Sequence, residues 1–456
     1  MTVITRFAPS PTGYLHIGSA RTALFNYLFS KHHGGKFLLR IEDTDRARST
    51  DEAVNAIITG LDWLGIKHDD EITYQFARGK RHAEFAHELV KNGKAYYCYM
   101  SQEELLANRS QRETKGFRSI YRDTSLQSAP KDIKPVIRLK SPLTGETVIE
   151  DLIQGKVRFN NEQADDMVLL RSDGTATYML AVVVDDHDMG ITHIIRGDDH
   201  LNNASRQTHL YQAMSWEVPK FAHIPLIHGD DGAKLSKRHG ALGVEAYQEM
   251  GYLPEALCNY LLRLGWSHGN DEIISQEKAI EWFDLKSVGK SPSRLDFKKL
   301  ANVNQHYIKN CDDQKLLELM IPFFAQEIDE NSKTRIIKAL RILKPRATNL
   351  VDIAKNSLIF LKDFTVSNSD EAREVLAKID LSIVDKLIPT LESQENWQEQ
   401  ELQELVKKYC QDHELKLGDI AQILRIYLTG SLISPSVFDI MSIIGKNESM
   451  NRIKIN

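Results

Sequence analysis

The residues best suited to chemistry fall in two short stretches far apart in the chain. The first is Arg6-Phe7-Ala8-Pro9-Ser10-Pro11-Thr12-Gly13-Tyr14-Leu15-His16-Ile17-Gly18-Ser19, and the second is Lys234-Leu235-Ser236-Lys237-Arg238. An imidazole at the head of a helix can donate to an anion, and the helix N-terminus adds its own unpaired N–H groups. Two lysines on a loop can close over a polyphosphate. Together these parts suit the holding of a phosphate-bearing ligand.

The elements that must position them can be read from the pattern. Val3, Ile4 and Phe7 make a short apolar strand, and Pro9 and Pro11 stop it, because proline lacks the N–H that a central strand needs. Gly13 and Gly18 allow a tight turn and a close approach to a ligand. Ser19 is expected as the N-cap, since Ala20, Ala23, Leu24, Tyr27 and Leu28 then recur as a helical stripe. Gly34-Gly35 ends that helix beside His32-His33, read as helix-end cations, and a second strand runs from Lys36 to Ile41. Ser49 and Glu52 form a capping box for the next helix. Alternation of this kind predicts an α/β fold, a Rossmann-type parallel sheet with its ligand at the strand ends.

From residue 77 to 173 the pattern changes to an α+β insertion, with short strands at Pro135–Leu139 and Thr147–Leu152. The parallel sheet is expected to resume at 174–240. Met179–Val184 reads as a strand buried on both faces, Thr192–Ile195 as another, Asn203–Met214 as a helix and Phe221–Ile227 as the strand that delivers the chain to the lysine loop. Beyond residue 241 the chain reads as all-α, with Tyr260–Trp266 and Ser291–Leu300 as helices.

The turn Pro-Ser-Pro-Thr-Gly-x-x-His-x-Gly and the later Lys-x-Ser-Lys, in that order, resemble the paired signatures of class I aminoacyl-tRNA synthetases. The stretches Arg6–Gly13, Ile41-Glu42-Asp43-Thr44-Asp45, Val184-Asp185-Asp186-His187 and Ile195-Arg196-Gly197 resemble the bacterial glutamyl-tRNA synthetase branch over nearly the whole chain. The resemblance implies activation of L-glutamate with ATP and Mg²⁺ to glutamyl-adenylate, then transfer to the terminal ribose of tRNA(Glu), with tRNA(Gln) an open second acceptor. It implies His16, Lys234 and Lys237 as the catalytic residues, and an ATP site of Pro9, Thr12, Gly13, His16, Gly18, Ser19, Asp199, Leu235, Ser236 and Lys237. It assigns glutamate to Arg6, Ser10, Glu42, Tyr178 and Arg196, with Glu42 for the ammonium; two arginines suit a carboxylate because guanidinium binds it bidentately and never loses its proton.

The resemblance also implies the domain plan: 1–76 and 174–240 as the two halves of the catalytic domain, 77–173 as the acceptor-end insertion, 241–310 as a helical stem-contact domain and 311–456 as a helical anticodon-binding domain, where Arg346 is a candidate base reader. Two departures from the branch stand out. Val182 occupies a position where some relatives place a polar residue, and Cys98 is followed by Met100 where some carry a Cys-x-Cys zinc motif. One thiol cannot complete a four-ligand site, so no zinc is expected.

A net charge of −5, from 58 basic and 63 acidic residues, neither supports nor vetoes nucleic-acid binding, which needs only a local positive face. Four scattered cysteines suit a reducing compartment rather than a disulfide framework. With no signal-peptide pattern and no apolar run near the ~18 residues that span a bilayer, a cytoplasmic monomer without a membrane partner is expected. Rival readings are a non-catalytic tRNA-binding paralogue, a truncated relative that modifies a tRNA base, glutaminyl-tRNA synthetase, and a small adenylyltransferase. The retained His16, Lys234 and Lys237 weigh against the first, and the long helical C-terminal part against the others.

Overall fold

The computed structural model describes residues 2–110, 115–124, 130, 132–229, 231–232 and 242–455. The chain divides into two compact units, residues 1–247 with 257–297, and residues 248–256 with 298–456.

The first unit starts as expected. Strand β1 (Ile4–Phe7) leads into helix α1 (Ile17–His32), which returns to strand β2 (Lys36–Ile41), followed by helix α2 (Asp51–Trp63) and strand β3 (Thr73–Tyr74). The three strands are parallel in the order β1-β2-β3. The N-caps fall one to three residues from where the sequence suggests. His16, not Ser19, caps α1 through its own ring, and Thr50, not Ser49, caps α2 by accepting from Ala53 N–H. Helix α3 (Gly79–Lys91) follows, then strand β4 (Ala95–Cys98), helix α4 (Gln102–Ser110), strand β5 (Val136–Leu139), the hairpin β6 (Glu146–Asp151) and β7 (Gly155–Asn160), and strand β8 (Val168–Leu170). Strands β4, β5 and β8 are antiparallel, as an α+β insertion requires.

The run Met179–Val184 is a correction: it lies inside helix α5 (Tyr178–Asp188), not in a strand. A short apolar run looks the same in a buried strand and a buried helix. Here Leu180, Val183 and Val184 pack with Phe85, Leu89 and Leu210, so the helix is apolar on most sides because protein covers it. The helical winding matters for function. Consecutive residues on a helix point about 100° apart, so Asp185 and Asp186 serve different partners. Asp185 meets Gln75, Arg78 and His82, and Asp186 meets Arg6 and Arg40.

The parallel arrangement resumes with strand β9 (His193–Gly197), helix α6 (Leu201–Ala213) and strand β10 (Lys220–Ile224), paired β10-β9 in parallel. Thr192, just before β9, bonds Ile4 through backbone and side chain at 2.9–3.2 Å, so this ladder lies beside β1. Helix α1 spans the seam: Thr5 Oγ1 donates to the Asn26 carbonyl, and Asn26 Nδ2 donates to the Ile195 carbonyl. Strand β11 (Ile227–His228) then pairs with Ser293–Arg294, a short strand where a helix is expected, and that helix instead runs Phe297–Asn310.

The second unit is helical among its described residues. Its core is an apolar cluster including Leu316, Ile336, Leu340, Ile353, Leu402, Ile423 and Met441. No helix among the described residues is long and apolar enough to cross a membrane.

Candidate functional site

The turn after β1 is shaped by its own backbone. Thr12 N–H bonds the Ser10 carbonyl, and Glu42 N–H bonds the Pro9 carbonyl at 2.9 Å, tying the turn to the end of β2. At the far side of the turn, His16 Nδ1 accepts from Gly18 N–H at 3.0 Å. With Nδ1 an acceptor, the neutral ring carries its proton on Nε2, a tautomer assigned by this bond. Gly18 is tight for the same reason: a Cβ there would sit 3.3 Å from His16 Nδ1. The requirement is thus on the imidazole, alongside any demand from a ligand.

A cavity of about 440 Å³ opens at the ends of β1, β2 and β9. It is lined by Arg6, Pro9, Ser10, His16, Gly18, Ser19, Glu42, Tyr178, Arg196 and Asp199, bringing together ten of the residues singled out in the sequence from four separate stretches of chain. Thr12 and Gly13 lie on the exposed outer side of the turn and are not in the lining. Lys234, Leu235, Ser236 and Lys237 lie outside the described residues. The described residues on either side are close to the cavity. Leu226 and Ile227 line it, Gly243 bridges to His16, and Val244 N–H bonds the Leu15 carbonyl at 2.9 Å. Arg346 lies in the other unit, exposed, donating to the Ser434 carbonyl at 2.8 Å beside Arg425, which holds the Ser434 hydroxyl. Val182 is buried in α5 and does not line the cavity.

Beneath the lining lies a buried ionic group. Asp186 accepts from Arg6 at 3.0 and 3.3 Å and from Arg40 at 2.5 Å, and Arg40 also reaches Glu42 at 3.2 Å. Arg40 and Asp186 have no exposed side-chain surface. Burial alone would neutralise the Asp186 carboxyl, but Arg40 and Arg6 outweigh it and hold its pKa below the ordinary carboxylate value. For Glu42 burial wins over Arg40, and its pKa is raised. Burial likewise raises the Tyr178 phenol, with Glu42 adding to the effect, so it stays protonated. Burial lowers Arg196, although a guanidinium remains charged at neutral pH.

The cavity therefore presents the guanidinium groups of Arg6 and Arg196 and the carboxyl groups of Glu42 and Asp199 beside an N–H-rich helix start. A catalytic-domain family described as tRNA synthetases class I (E and Q) matches residues 2–302, and an anticodon binding domain family matches residues 315–456. The chain belongs to the class I tRNA synthetases. It is similar over its whole length to proteins named glutamate–tRNA ligase. One from Paramagnetospirillum magneticum is 54% identical, covering 100% of this chain and 97% of that protein. One from Rickettsia bellii is 54% identical, covering 99% of each. A crystal structure of a glutamate tRNA ligase from Elizabethkingia meningosepticum, in complex with its amino acid, superposes with a TM-score of 0.88 at 32% identity, covering 100% of this chain and 99% of that one.

Several residues of this synthetase's site escape sequence reading. Arg21 and Thr22 line the cavity from α1, and His200 lines it from the turn after β9. Arg21 is anchored by donating to the Leu264 and Pro225 carbonyls, and burial lowers its pKa to about 10 against the pull of Asp198. Asp186, Arg40 and His223 touch lining residues from behind, and Asp151 holds His223. The one available signal was that arginines and aspartates inside apolar runs must find partners, but which partners is not written in the spacing.

Proposed function

We propose that this synthetase is a glutamate–tRNA ligase: it activates L-glutamate with MgATP to glutamyl-adenylate and pyrophosphate, then passes the acyl group to the 3′-terminal ribose of tRNA(Glu). The observation that carries this reading is the joint presence of Arg6, Arg196 and Glu42 around one cavity that also holds His16. Glutamate has two carboxylates and one ammonium, and these three side chains match that charge pattern. Glu42 takes the ammonium, the arginines take carboxylate, and the hydroxyls of Ser10 and Tyr178 complete the polar lining. Glutamine lacks the second negative charge. A charge-assisted hydrogen bond contributes about 1.5–3 kcal/mol, so the pocket discriminates against it.

In the first step an α-carboxylate oxygen attacks the α-phosphorus, and the bond to the pyrophosphate oxygen breaks. His16, donating from Nε2, stabilises the charge that builds on the phosphate oxygens. Pro9, Gly18 and Ser19 supply backbone and hydroxyl contacts, with Thr12 and Gly13 shaping the turn. Asp199 meets the ribose. Lys234 and Lys237 contact the triphosphate, and Leu235 and Ser236 the nucleotide. The closeness of Gly243 and Ile227 to the site supports these roles. Mg²⁺ arrives on the ATP phosphates as part of that substrate. In the second step the ribose hydroxyl attacks the acyl carbon and AMP leaves. Residues 77–173 grip the acceptor end, 241–310 the inner side of the tRNA and 311–456 the anticodon, with Arg346 one candidate reader.

The test is charging with labelled glutamate, using purified tRNA(Glu) and tRNA(Gln) separately, on the parent chain and on Arg6→Ala and Arg196→Ala. The parent should charge tRNA(Glu), and both variants should raise the glutamate KM at least tenfold with the ATP KM little changed. Binding of tRNA without charging would establish the non-catalytic reading instead. Charging of tRNA(Gln) as well would make the enzyme non-discriminating.

A further inference from the structure

The two arginines of the cavity are held in opposite ways. Arg6 is paired with a carboxylate, Asp186. Arg196 pairs with none among the described residues. Its Nε donates to His223 Nε2 at 3.2 Å, its Nη2 donates to the His200 carbonyl at 3.3 Å, and its Nη1 is buried without a hydrogen-bond partner among the described residues. An Nε–H donor requires His223 Nε2 to be an acceptor, so this imidazole is neutral with its proton on Nδ1. That proton faces Asp151: His223 Nδ1 lies 2.6 Å from Asp151 Oδ2. Asp151 is itself fixed, because its Oδ1 accepts from the backbone N–H groups of Ile153, Gln154 and His223. His223 and Asp151 have no exposed side-chain surface.

Asp151 belongs to the inserted hairpin, not to the parallel sheet. It ends β6, and the next residue, Leu152, donates its N–H to the Phe221 carbonyl of β10 at 2.9 Å. The insertion thus reaches the back of the cavity through a line of three side chains: Asp151, His223, Arg196.

We propose that His223 is a positioning residue for substrate recognition, its tautomer set by Asp151, and that it orients Arg196 for the substrate carboxylate. This rests on the reading of Arg196 as a glutamate-binding cation. The physical reason is competition. A carboxylate behind Arg196 would neutralise the guanidinium and weaken its pull on substrate. A neutral imidazole accepts the Nε–H and fixes the plane while leaving the charge undivided. This is the role that outer partners play around other fixed ligands.

The test uses two substitutions that each keep one half of the imidazole. The side-chain oxygen of His223→Gln can stand where Nε2 stands and accept from Arg196. The amide of His223→Asn stands where Nδ1 stands, reaching Asp151 but not Arg196. Glutamate and ATP KM values in the charging reaction are measured for both, with Arg196→Ala alongside. We expect His223→Asn to raise the glutamate KM about tenfold or more, His223→Gln to stay within about threefold of the parent, and the ATP KM to hold in both. Equal losses in the two variants, with Arg196→Ala still raising the glutamate KM, would overturn the positioning role alone. An unchanged glutamate KM in Arg196→Ala would overturn both it and the reading beneath it. A second readout is the ¹⁵N spectrum of histidine-labelled parent protein. His223, identified by its loss in the substituted chains, should carry its ring proton on Nδ1, and an Nε2–H form or an imidazolium would overturn the proposal.

Discussion

The most exacting prediction concerns Asp186→Asn. The change is nearly isosteric and removes one negative charge from a mostly buried group of four residues, Arg6, Arg40, Glu42 and Asp186, whose formal charges otherwise cancel. Asp186 lies within 3.3 Å of both guanidinium groups and has no exposed surface. Breaking a buried pair by deleting one partner costs about 3–5 kcal/mol, because the remaining charge is left without compensation in a poor solvent for ions. Guanidinium chloride denaturation at pH 7 should show a loss of that order in the transition of the first unit. The pH dependence supplies the sign. The Asp186 pKa is depressed in the fold, so its contribution is fully present above the ordinary carboxylate value near pH 4 and is lost only as pH falls through the lower folded value. The gap between parent and variant should therefore persist down to about pH 4 and close below it. Because Asp186 orients Arg6, the glutamate KM should also rise, by about tenfold, equivalent to about 1.4 kcal/mol. A loss under about 1 kcal/mol, or a gap that closes between pH 7 and 5, would refute the buried-cluster argument.

Other outcomes follow from the same geometry. Glu42 must be ionised to hold an ammonium, and its raised pKa means the parent's glutamate KM should climb on acidification before an ordinary carboxylate would titrate; Glu42→Gln should start high and lose that pH dependence. Gly18→Ala should lower turnover by displacing the His16 ring, since the added Cβ would stand 3.3 Å from Nδ1, and a crystal structure of the variant should show the capping bond lengthened. In the second unit, Gly430 has φ of 72° and a Cβ there would meet the Ser367 carbonyl oxygen at 2.2 Å, so Gly430→Ala should destabilise that unit by about 2 kcal/mol or more in thermal unfolding.

Much of this protein can be read from sequence because the informative features are local. The proline-stopped strand, the glycine turn, His16 and the apolar stripe of α1 are contiguous, and their types restrict the backbone to a strand–turn–helix whatever surrounds it. The placement of Arg6, Glu42 and Arg196 at strand ends follows from parallel topology, which puts all three at one edge. The same local logic misjudged α5. A run of Leu, Ala and three valines suits a buried strand by residue type, and only packing against α3 and α6 made it a helix. That choice decided where Asp186 points. The partners of the buried charges were decided by tertiary structure alone. Arg6 meets Asp186 across 180 positions, and Asp151 meets His223 across 72. A charged side chain inside a protein must be compensated, and sequence states that requirement. It cannot name the partner, since pairing depends on which faces the folded elements bring within about 3 Å, a distance set by hydrogen-bond geometry.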